Sequence, residues 1–286
     1  MQQEKLKKEI SSIVASALKE DFAFDDVTSD LTIPAGRIAS FEIRAREEII
    51  FCGKEVLSEV FFQLKKSKKF KNSKLDLKIL AKDGEFVRPE KSIARGKGDA
   101  KLIFAAERVA LNLIQHLSGV ASLTQKFAQE LNDKKIKILD TRKTIPTLRA
   151  LEKYAVVMGG GKNHRFNLSD MILIKDNHIA AAGGVAKAIE AAKIGAKKLK
   201  IEVECDTVEQ VAEAIKSNPH IIMLDNMKIA DIKKSIQLIN KKAQIEISGG
   251  VNLKNIKKFS GLKIDFISVG SLTHSARAVD IGLDII

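Results

Sequence analysis

The sequence predicts an α/β protein with two regions: a small α+β domain over residues 1–103 and a parallel α/β barrel, incomplete or irregular, over residues 104–272. Two observations carry this prediction. The first region shows strand-like alternation of apolar and polar residues. From residue 135 onward, short β-branched runs alternate with helical stretches, and the last four of these runs begin 21, 24 and 21 residues apart. That spacing is typical of repeated strand–helix units, which form parallel sheets.

The first region opens with an amphipathic helix and continues through a turn-rich loop at 25–34 into antiparallel strands. The helix is predicted by apolar residues at helical spacing, namely Leu6, Ile10, Ile13, Val14, Ala17 and Leu18. Two strands are predicted by apolar residues at alternate positions, namely Phe41, Ile43 and Ala45 in one and Leu75, Leu77 and Ile79 in the other.

A long helix is predicted from 104 to 131, bent or divided at Gly119, and six strands follow it. The strands are predicted at 136–140, 171–175, 199–204, 220–225, 244–248 and 265–270. A closed barrel of this kind needs eight strands, so we expect an incomplete one. Residues 155–158 are a candidate for one more short element, and a helix near 273–286 is expected to pack back on the first domain.

The amino-acid composition indicates which kinds of molecule the protein can bind. The 286 residues carry a net charge of +13, mostly from lysine, which favours anionic partners. Aromatic residues make up only 5%, and Trp is absent, which argues against nucleic-acid binding by base stacking. No apolar run approaches the roughly 20 residues of a membrane span. The chain reads as cytoplasmic, with Cys52 and Cys205 as free thiols.

Each predicted barrel strand ends in a polar or small residue: Asp140, Lys175, Glu204, Asp225, Ser248 and Gly270. Active sites of such barrels lie at the carboxyl ends of the strands. Exposed loops also explain some polar strand ends. They explain poorly a collection of cations, histidines and two acids at one edge, so the sequence predicts a site there.

Residues 140–179 hold most of the candidate chemistry. Arg142 and Lys143 directly follow a strand, and further cations and histidines come after three glycines at 159–161. Guanidinium groups bind carboxylate or phosphate with two hydrogen bonds, and lysine supplies a point charge. The glycines are either a phosphate-binding loop or a hinge. We favour a functional role for His164 and leave His178 undecided.

Glu204 and Asp225 end neighbouring strands and have three candidate roles: acid–base catalysis, binding of sugar hydroxyls, or holding Mg²⁺ together with substrate phosphates. Among so many cations, the last two roles are the more natural. Two glycine-containing segments, 248–250 and 269–271, follow the final strands, where barrels often bind phosphate through backbone N–H groups.

At this point the residues identify a family. The chain resembles quinolinate phosphoribosyltransferase, also called nicotinate-nucleotide pyrophosphorylase (carboxylating), nearly from end to end. The matching motifs are 20–29 (EDFAFDDVTS), 107–112 (ERVALN), 117–121 (LSGVA), 141–144 (TRKT), 159–165 (GGGKNHR), 174–178 (IKDNH), 203–204 (VE), 224–226 (LDN), 248–250 (SGG) and 267–270 (ISVG). The departures are uncharged loop positions and the pair at 24–25: Ile145, Thr147 and Asn167 replace the usual Thr, Gly and Gly, and Phe24-Asp25 replaces a Gly-containing pair. They affect loop geometry rather than chemistry.

The resemblance implies a pentosyltransferase of NAD biosynthesis. It would transfer phosphoribosyl from phosphoribosyl pyrophosphate to quinolinate, with Mg²⁺ as cofactor, giving nicotinate mononucleotide, pyrophosphate and CO₂. By resemblance, Arg142, His164, Arg165 and Lys175 bind the quinolinate carboxylates and nearby phosphate. Lys143 lies near the reacting centre, Thr141 is one of the substrate-binding residues, and Glu204 and Asp225 act on the ribose or the metal. The backbone of Ser248, Gly249, Gly250, Val269, Gly270 and Ser271 binds the 5′-phosphate.

The resemblance also implies a homodimer with shared sites, with assembly to a hexamer left open. Arg108 lies in an apolar stretch of the long helix, where a buried charge would need a partner. A structural salt bridge is one reading; the family implies that Arg108 reaches the quinolinate site of the neighbouring subunit. Two rival functions remain open: a sister protein of the same fold associated with molybdate transport, and a basic nucleic-acid-binding protein.

Overall fold

The computed structural model describes residues 2–196 and 198–286, which form two compact units. The first unit consists of the chain up to Gln125 together with Thr144–Gly160 and Thr273–Ile286, and the second of Lys126–Lys143 and Gly161–Leu272. The sequence predicted a boundary at residue 103, whereas the first unit continues to Gln125. The reason is that the long helix is tied into the first unit beyond that point: the Ser118 and Ser122 hydroxyls accept hydrogen bonds from the backbone N–H groups of Cys52 and Ile50.

Ten α-helices and twelve strands are found in the described residues, apart from one short 3₁₀ turn at Ile256–Phe259. The helices are α1 (Gln2–Glu20), α2 (Val27–Thr32), α3 (Lys54–Lys66), α4 (Ala100–Leu131), α5 (Arg149–Met158), α6 (Asp176–Ala182), α7 (Val185–Gly195), α8 (Val208–Lys216), α9 (Ile229–Ile239) and α10 (Ser271–His274). The strands are β1 (Ile38–Ala45), β2 (Ile49–Ile50), β3 (Leu75–Ile79), β4 (Phe86–Val87), β5 (Ser92–Asp99), β6 (Lys137–Leu139), β7 (Ile172–Ile174), β8 (Ile201–Cys205), β9 (Ile221–Asp225), β10 (Gln244–Ser248), β11 (Phe266–Ser268) and β12 (Ile281–Ile285).

The first unit is built on an antiparallel sheet in the order β12-β1-β5-β3, with β2 and β4 as a separate pair. Phe41, Ile43 and Ala45 of β1 are buried, as the alternation in the sequence predicted. The apolar face of α1 is buried too, at Ile10 and Val14 among others. The small α+β domain is thus confirmed in type.

The helix expected near 273–286 is wrong for most of that segment. Only α10 is helical, and Ile281–Ile285 forms β12, which pairs antiparallel with β1. A Cβ atom at Gly282 would lie 2.4 Å from the Arg46 guanidinium group, so a side chain there would displace that of Arg46. The apolar side chains of β12 serve a sheet and not an amphipathic helix.

Gly119 does not divide the long helix, which runs without interruption as α4. A Cβ atom at Gly119 would lie 2.0 Å from the carbonyl oxygen of Arg277. The glycine therefore permits a close approach of two backbone segments within the first unit. Residues 155–158 form the last turn of α5, so they add no strand to the sheet.

The second unit is an all-parallel six-stranded sheet in the order β6-β11-β10-β9-β8-β7. All six strands lie where the sequence predicted them. The edge strands β6 and β7 are not paired with each other in the described part of the chain, so the barrel is incomplete, as predicted. Among the described helices, none is both long and apolar enough to cross a membrane.

Candidate active site at the carboxyl ends of the parallel strands

The parallel strands bring the predicted strand-end residues to one edge of the second unit. Lys175 follows β7, Glu204 lies near the end of β8, and Asp225 and Ser248 end β9 and β10. Because all strands of the sheet are parallel, their carboxyl ends share one edge. The arrangement predicted from the sequence is therefore present.

Lys175 and Glu204 form an ion pair across this edge, with 2.8 Å between Nζ and Oε2. The Glu204 side chain is 11% exposed and that of Lys175 is 45% exposed. The pair thus lies at the edge formed by the carboxyl ends of the strands, which we call the mouth of the site. Solvent reaches the lysine there. A charge-assisted hydrogen bond of this kind fixes the direction of both side chains.

Three carboxylates gather beside this pair: Glu204, Asp225 and Asp206, the last of which sequence reasoning missed. Each can offer one oxygen such that the three oxygens lie within 4.8 Å of one another. Partial burial and the nearby negative charges of Asp225 and Asp176 raise the pKa of Asp206. Oxygen ligands with mutual repulsion and access to water fit Mg²⁺, which binds through one or two carboxylates and keeps several waters.

Asp140, at the end of β6, organises the loop that carries the histidine and arginine candidates. Its buried carboxylate accepts hydrogen bonds from the backbone N–H of His164 at 2.9 Å and from Asn163 Nδ2 at 2.5 Å. Among the six strand-end residues, Asp140 is therefore a loop anchor. Beyond it, Thr141 Oγ1 accepts a hydrogen bond from the backbone N–H of Lys143, whose side chain is exposed.

Arg142 and Arg165 are half-buried, and their like charges interact. Burial, and then the positive charge of Arg142, lower the pKa of Arg165. The Arg165 guanidinium also donates to the Met171 carbonyl oxygen at 3.2 Å. Two guanidinium groups held together in this way favour an anionic ligand, because the ligand removes their mutual repulsion.

Beneath the mouth lies a layer of buried polar side chains that sequence reasoning also missed. Glu202 and Glu246 are fully buried on β8 and β10, each two residues before a mouth residue of the same strand. His164 Nε2 lies 3.0 Å from Glu202 Oε2 and 3.7 Å from Glu246 Oε1. Ser268 on β11 donates its hydroxyl to Glu246 Oε1 at 2.5 Å. We call these four residues the floor cluster.

Burial has a strong effect on the two acids of the floor cluster. Desolvation, followed by the charge of Glu202, raises the pKa of Glu246 to about 8. Desolvation also raises the pKa of Glu202, to about 7, against the opposing effects of its contact with Glu246 and of the Arg165 charge. The floor therefore favours at least one neutral carboxyl group at neutral pH.

His164 was expected to bind the quinolinate carboxylates directly, but its side chain is directed into the protein. Its Nδ1 accepts a hydrogen bond from the backbone N–H of Arg165 at 2.7 Å, and its Nε2 faces Glu202. The side chain is 7% exposed. In this conformation both ring nitrogens face the protein interior, Nδ1 toward a backbone donor and Nε2 toward a buried acid. The ring links the arginine loop to the floor cluster.

The segment after β10 has a backbone that requires glycine. Gly249 has a φ of +87°, and a Cβ atom there would lie 2.3 Å from Asn226 Oδ1 and 2.7 Å from Asn226 N. Gly250, with a φ of +60°, has nothing within 4 Å of a Cβ position, and its carbonyl oxygen accepts hydrogen bonds from the Asn252 and Asn255 side chains. This open turn at the strand end suits a phosphate group.

The second glycine segment is only partly suited to the same role. Val269 is buried, and its backbone N–H donates to the Leu139 carbonyl oxygen at 3.0 Å. That N–H is therefore already used within the sheet, contrary to the expectation that it binds phosphate. Gly270 and Ser271 are half-buried at the start of α10.

Two other candidates have local roles that the sequence left undecided. Arg108 belongs to the first unit, and its side chain is 59% exposed, with 3.8 Å between Nη2 and Glu107 Oε1. The assumption that it is a buried charge is therefore wrong, since it faces outward from α4. His178 Nδ1 accepts a hydrogen bond from the backbone N–H of Lys175 and so caps α6.

Comparison with known proteins agrees with the motifs. The family profiles "Quinolinate phosphoribosyl transferase, N-terminal domain" and "C-terminal domain" match residues 26–118 and 120–284. The chain is 41% identical over 267 residues to the "Probable nicotinate-nucleotide pyrophosphorylase [carboxylating]" of Bacillus subtilis, covering 93% of this chain and 90% of the relative. It is 37% identical to the nicotinate-nucleotide pyrophosphorylase (carboxylating) of Mycobacterium leprae, covering 95% of each.

Among solved structures, the nicotinate-nucleotide pyrophosphorylase from Francisella tularensis has the same fold. Its TM-score is 0.91 at 37% identity, and the match covers 98% of this chain and 97% of that one. Both regions of the chain, the antiparallel sheet and the incomplete parallel barrel, therefore have counterparts in one known architecture. The chain belongs to the quinolinate phosphoribosyltransferase family.

Proposed function

We propose that this protein transfers phosphoribosyl from phosphoribosyl pyrophosphate to quinolinate and decarboxylates the product to nicotinate mononucleotide. The observation that carries the proposal is the pairing of two opposite charge sets at one sheet edge. The Arg142/Arg165 pair suits a small dianion, and the carboxylates of Glu204, Asp206 and Asp225 suit a metal-bound sugar phosphate. Few reactions need both in one site.

Quinolinate would bind at the arginines, with its two carboxylates relieving the repulsion between the guanidinium groups. Lys175 extends the positive charge toward the sugar and is held in that direction by Glu204. We assign to His164 the task of holding the Arg165 backbone, since its Nδ1 accepts from that N–H. Its direct contact with quinolinate, expected from the family, stays a prediction.

Phosphoribosyl pyrophosphate would bind with its ribose hydroxyls at Glu204 and Asp225 and its 5′-phosphate at the Gly249–Gly250 turn. Gly270 and Ser271 remain candidates for the same phosphate. Lys143, exposed and next to the arginine pair along the chain, is placed near the reacting centre. Mg²⁺ held by Glu204, Asp225 and Asp206 would neutralise the charge that develops on pyrophosphate.

The residues fit the electron movements of the reaction. As the ribosyl–pyrophosphate bond breaks, positive charge grows on the sugar, and the carboxylates of Glu204 and Asp225 stabilise it. The quinolinate nitrogen then forms the new bond and becomes cationic. The adjacent C2 carboxylate leaves as CO₂, its electron pair is stabilised by that cationic nitrogen, and C2 takes up a proton. The site therefore needs positioning groups more than a strong base.

The test is direct turnover. Purified protein, quinolinate, phosphoribosyl pyrophosphate and Mg²⁺ are expected to yield nicotinate mononucleotide, pyrophosphate and CO₂. Nicotinate lacks one carboxylate and so loses a charge-assisted contact of about 1.5–3 kcal/mol, which predicts at least about tenfold weaker use. Lys143→Ala and a reaction without Mg²⁺ serve as controls. Equal use of the two acids would contradict the assignment of the arginine pair.

We further propose a cytoplasmic homodimer in which Arg108 acts on the neighbouring subunit's site. The support is its exposure on α4, together with the free, buried thiols of Cys52 and Cys205, which suit a reducing compartment. Two-fold symmetry would give two equivalent shared sites. Further assembly to a hexamer stays open.

Subunit mixing tests the shared sites. Arg108→Ala and Lys143→Ala homodimers should each be nearly inactive, because every site lacks one group. In a mixed dimer both lesions fall in the same site, so the other site is intact and activity returns. Mixed dimers proven by mass spectrometry but still inactive would leave Arg108 as an ordinary surface residue.

A further inference from the structure

The floor cluster presents a problem of charge and hydrogen bonding that the reaction itself does not explain. Both oxygens of Glu202 and Oε2 of Glu246 are buried, and no hydrogen-bond donor reaches them among the residues that the structure describes. One oxygen of each carboxyl group nevertheless lies within 4.8 Å of one oxygen of the other. Two buried carboxylates in contact repel strongly, and each buried oxygen without a donor costs free energy.

One proton on Glu246 solves both problems. A neutral Glu246 carboxyl donates to Glu202, so that a donor reaches the Glu202 carboxylate and only one negative charge is buried. The other oxygen, Oε1, still accepts from Ser268. His164 Nε2 lies 3.0 Å from the Glu202 carboxylate, and His164 Nδ1 accepts a hydrogen bond from the Arg165 N–H. The result is an ordered chain of polar contacts from β11 to the arginine loop.

We propose that Glu246 is a positioning residue that carries a proton, and that its neutral carboxyl orders Glu202, His164 and the Arg165 backbone beneath the quinolinate pocket. The inference rests on the proposed function only for the location of that pocket. Geometry alone provides the chain of contacts. The raised pKa of Glu246 supports the protonated form.

The consequence for binding is electrostatic. The charged and titratable groups around the floor are Glu202 and Glu204 on β8, His164 and Arg165 on the loop before β7, and Lys175 after it. With Glu246 neutral, the floor carries a single buried negative charge, from Glu202. When Glu246 loses its proton, a second negative charge lies beneath a pocket built for a dianion, and quinolinate is repelled.

The experiment measures the KM for quinolinate between pH 7 and pH 9.5 in the wild type and in Glu246→Gln. The glutamine amide can donate to Glu202 and accept from Ser268, so it copies the neutral acid and cannot ionise. We expect near-wild-type KM at pH 7 in the variant. Above pH 8 the wild-type KM should rise by up to about tenfold per pH unit, and the variant should lack this rise.

Two further variants separate this role from general damage. Glu152→Gln changes another fully buried, histidine-paired acid, one that accepts from Ile145 N–H and contacts His116 Nε2. It should keep the wild-type rise in KM with pH. Ser268→Ala removes a hydrogen bond that favours the charged form of Glu246, so it should move the rise to higher pH. This second variant also decides the matter if Glu246→Gln does not fold.

A spectroscopic readout is independent of activity. The infrared difference spectrum between pH 6 and pH 10 should show loss of a protonated carboxyl C=O band in the wild type, and this loss should be absent or reduced in Glu246→Gln. Identical pH profiles and identical spectra would overturn the proposal. So would a stoichiometric divalent cation that the wild type binds and Glu246→Gln does not. Failure of the proposed function is distinguishable, since the wild type would then not turn over quinolinate at any pH.

Discussion

The mouth and the floor of the parallel sheet use the same kind of side chain in opposite ways. Glu204 at the mouth and Glu202 in the floor lie two residues apart on β8 and so face the same side of the sheet. Glu204 meets the Lys175 ammonium at 2.8 Å, whereas Glu202 meets His164 and a second acid. Two residues along one strand thus separate a partly exposed ion pair, Lys175–Glu204, from a buried pair of acids, Glu202 and Glu246. Depth along a strand, and not residue type, decides which chemistry a glutamate can perform.

The largest effect should come from removing charge at the mouth. Asp225→Asn keeps the side-chain size but loses one of the three carboxylates that gather there. We expect kcat/KM for phosphoribosyl pyrophosphate to fall about 100-fold, as is typical for loss of one electrostatic contact to a transition state. The free energy of unfolding should change by less than about 0.5 kcal/mol, because the residue is not in the core.

Asp231→Asn is the matched control for that change. Asp231 pairs with Lys234 on the surface of α9, so its loss should leave both activity and stability unchanged. If Asp225→Asn retains wild-type kcat/KM, the mouth carboxylates do not act on the sugar phosphate, and the contrast between mouth and floor loses its functional meaning.

The floor cluster should also affect stability, in a way that depends on pH. Glu246 has a pKa near 8 in the folded protein against an ordinary value of 4.5, so between these values the folded state holds a proton that the unfolded state has lost. The free energy of unfolding therefore falls as pH rises through this window, by at most about 1.4 kcal/mol per pH unit from this group. Above the folded pKa its contribution levels off.

Urea unfolding at pH 5.5, 6.5 and 7.5 measures this fall. Glu246→Gln should flatten the curve relative to the wild type, since an amide does not titrate. Groups outside the floor cluster contribute equally to both proteins, so the difference between the two curves isolates Glu246 together with its effect on Glu202. Parallel curves would mean that the floor acid is not the group that retains its proton.

The smallest effect should distinguish two neighbouring glycines at the mouth. Gly249→Ala places a Cβ atom against Asn226 in addition to straining a positive φ, whereas Gly250→Ala meets only the strain. We expect Gly250→Ala to cost about 1 kcal/mol of unfolding free energy and Gly249→Ala about 1–2 kcal/mol more. Thermal unfolding of both variants measures the difference, and equal costs would show that the Asn226 contact yields easily.

The sequence predicted the six parallel strands and the residues at their ends because both leave local signals. A buried parallel strand is a short apolar run, and a polar residue marks where it meets solvent. Lys175, Glu204 and Asp225 were found in this way. The 24-residue and 21-residue spacings of the strands predicted repeated strand–helix units and therefore a parallel α/β fold.

The floor cluster escaped prediction because depth along a strand has no local signal. Glu202 and Glu246 stand inside apolar strands, in the segments IEVEC and QIEIS, and read as ordinary exceptions to the apolar pattern. Their meeting with His164 depends on three separate segments of the chain. A charged residue two positions before a polar strand end, in a strand covered on both faces, is the signal that would have found them.

Arg108 and β12 were misjudged for a related reason. The apolar neighbours of Arg108 along the chain suggested burial, but on α4 they point in other directions and leave the guanidinium exposed. The segment at 281–285 is too short for its apolar pattern to distinguish a helix from a strand. In both cases the deciding information is which surface the element faces, and this comes from residues distant in sequence.

The pairing of β12 with β1 sets an order for biosynthesis. β1 is complete once residue 45 has been synthesised, but one of its edges is covered only by residues 281–285, near the other end of the sequence. During translation the sheet of the first unit therefore waits, with an open edge that can pair with other chains, while the whole parallel sheet is made. Completion of the sheet of the first unit therefore depends on residues synthesised after the parallel sheet, and chaperone binding should concentrate on the nascent chain during that interval.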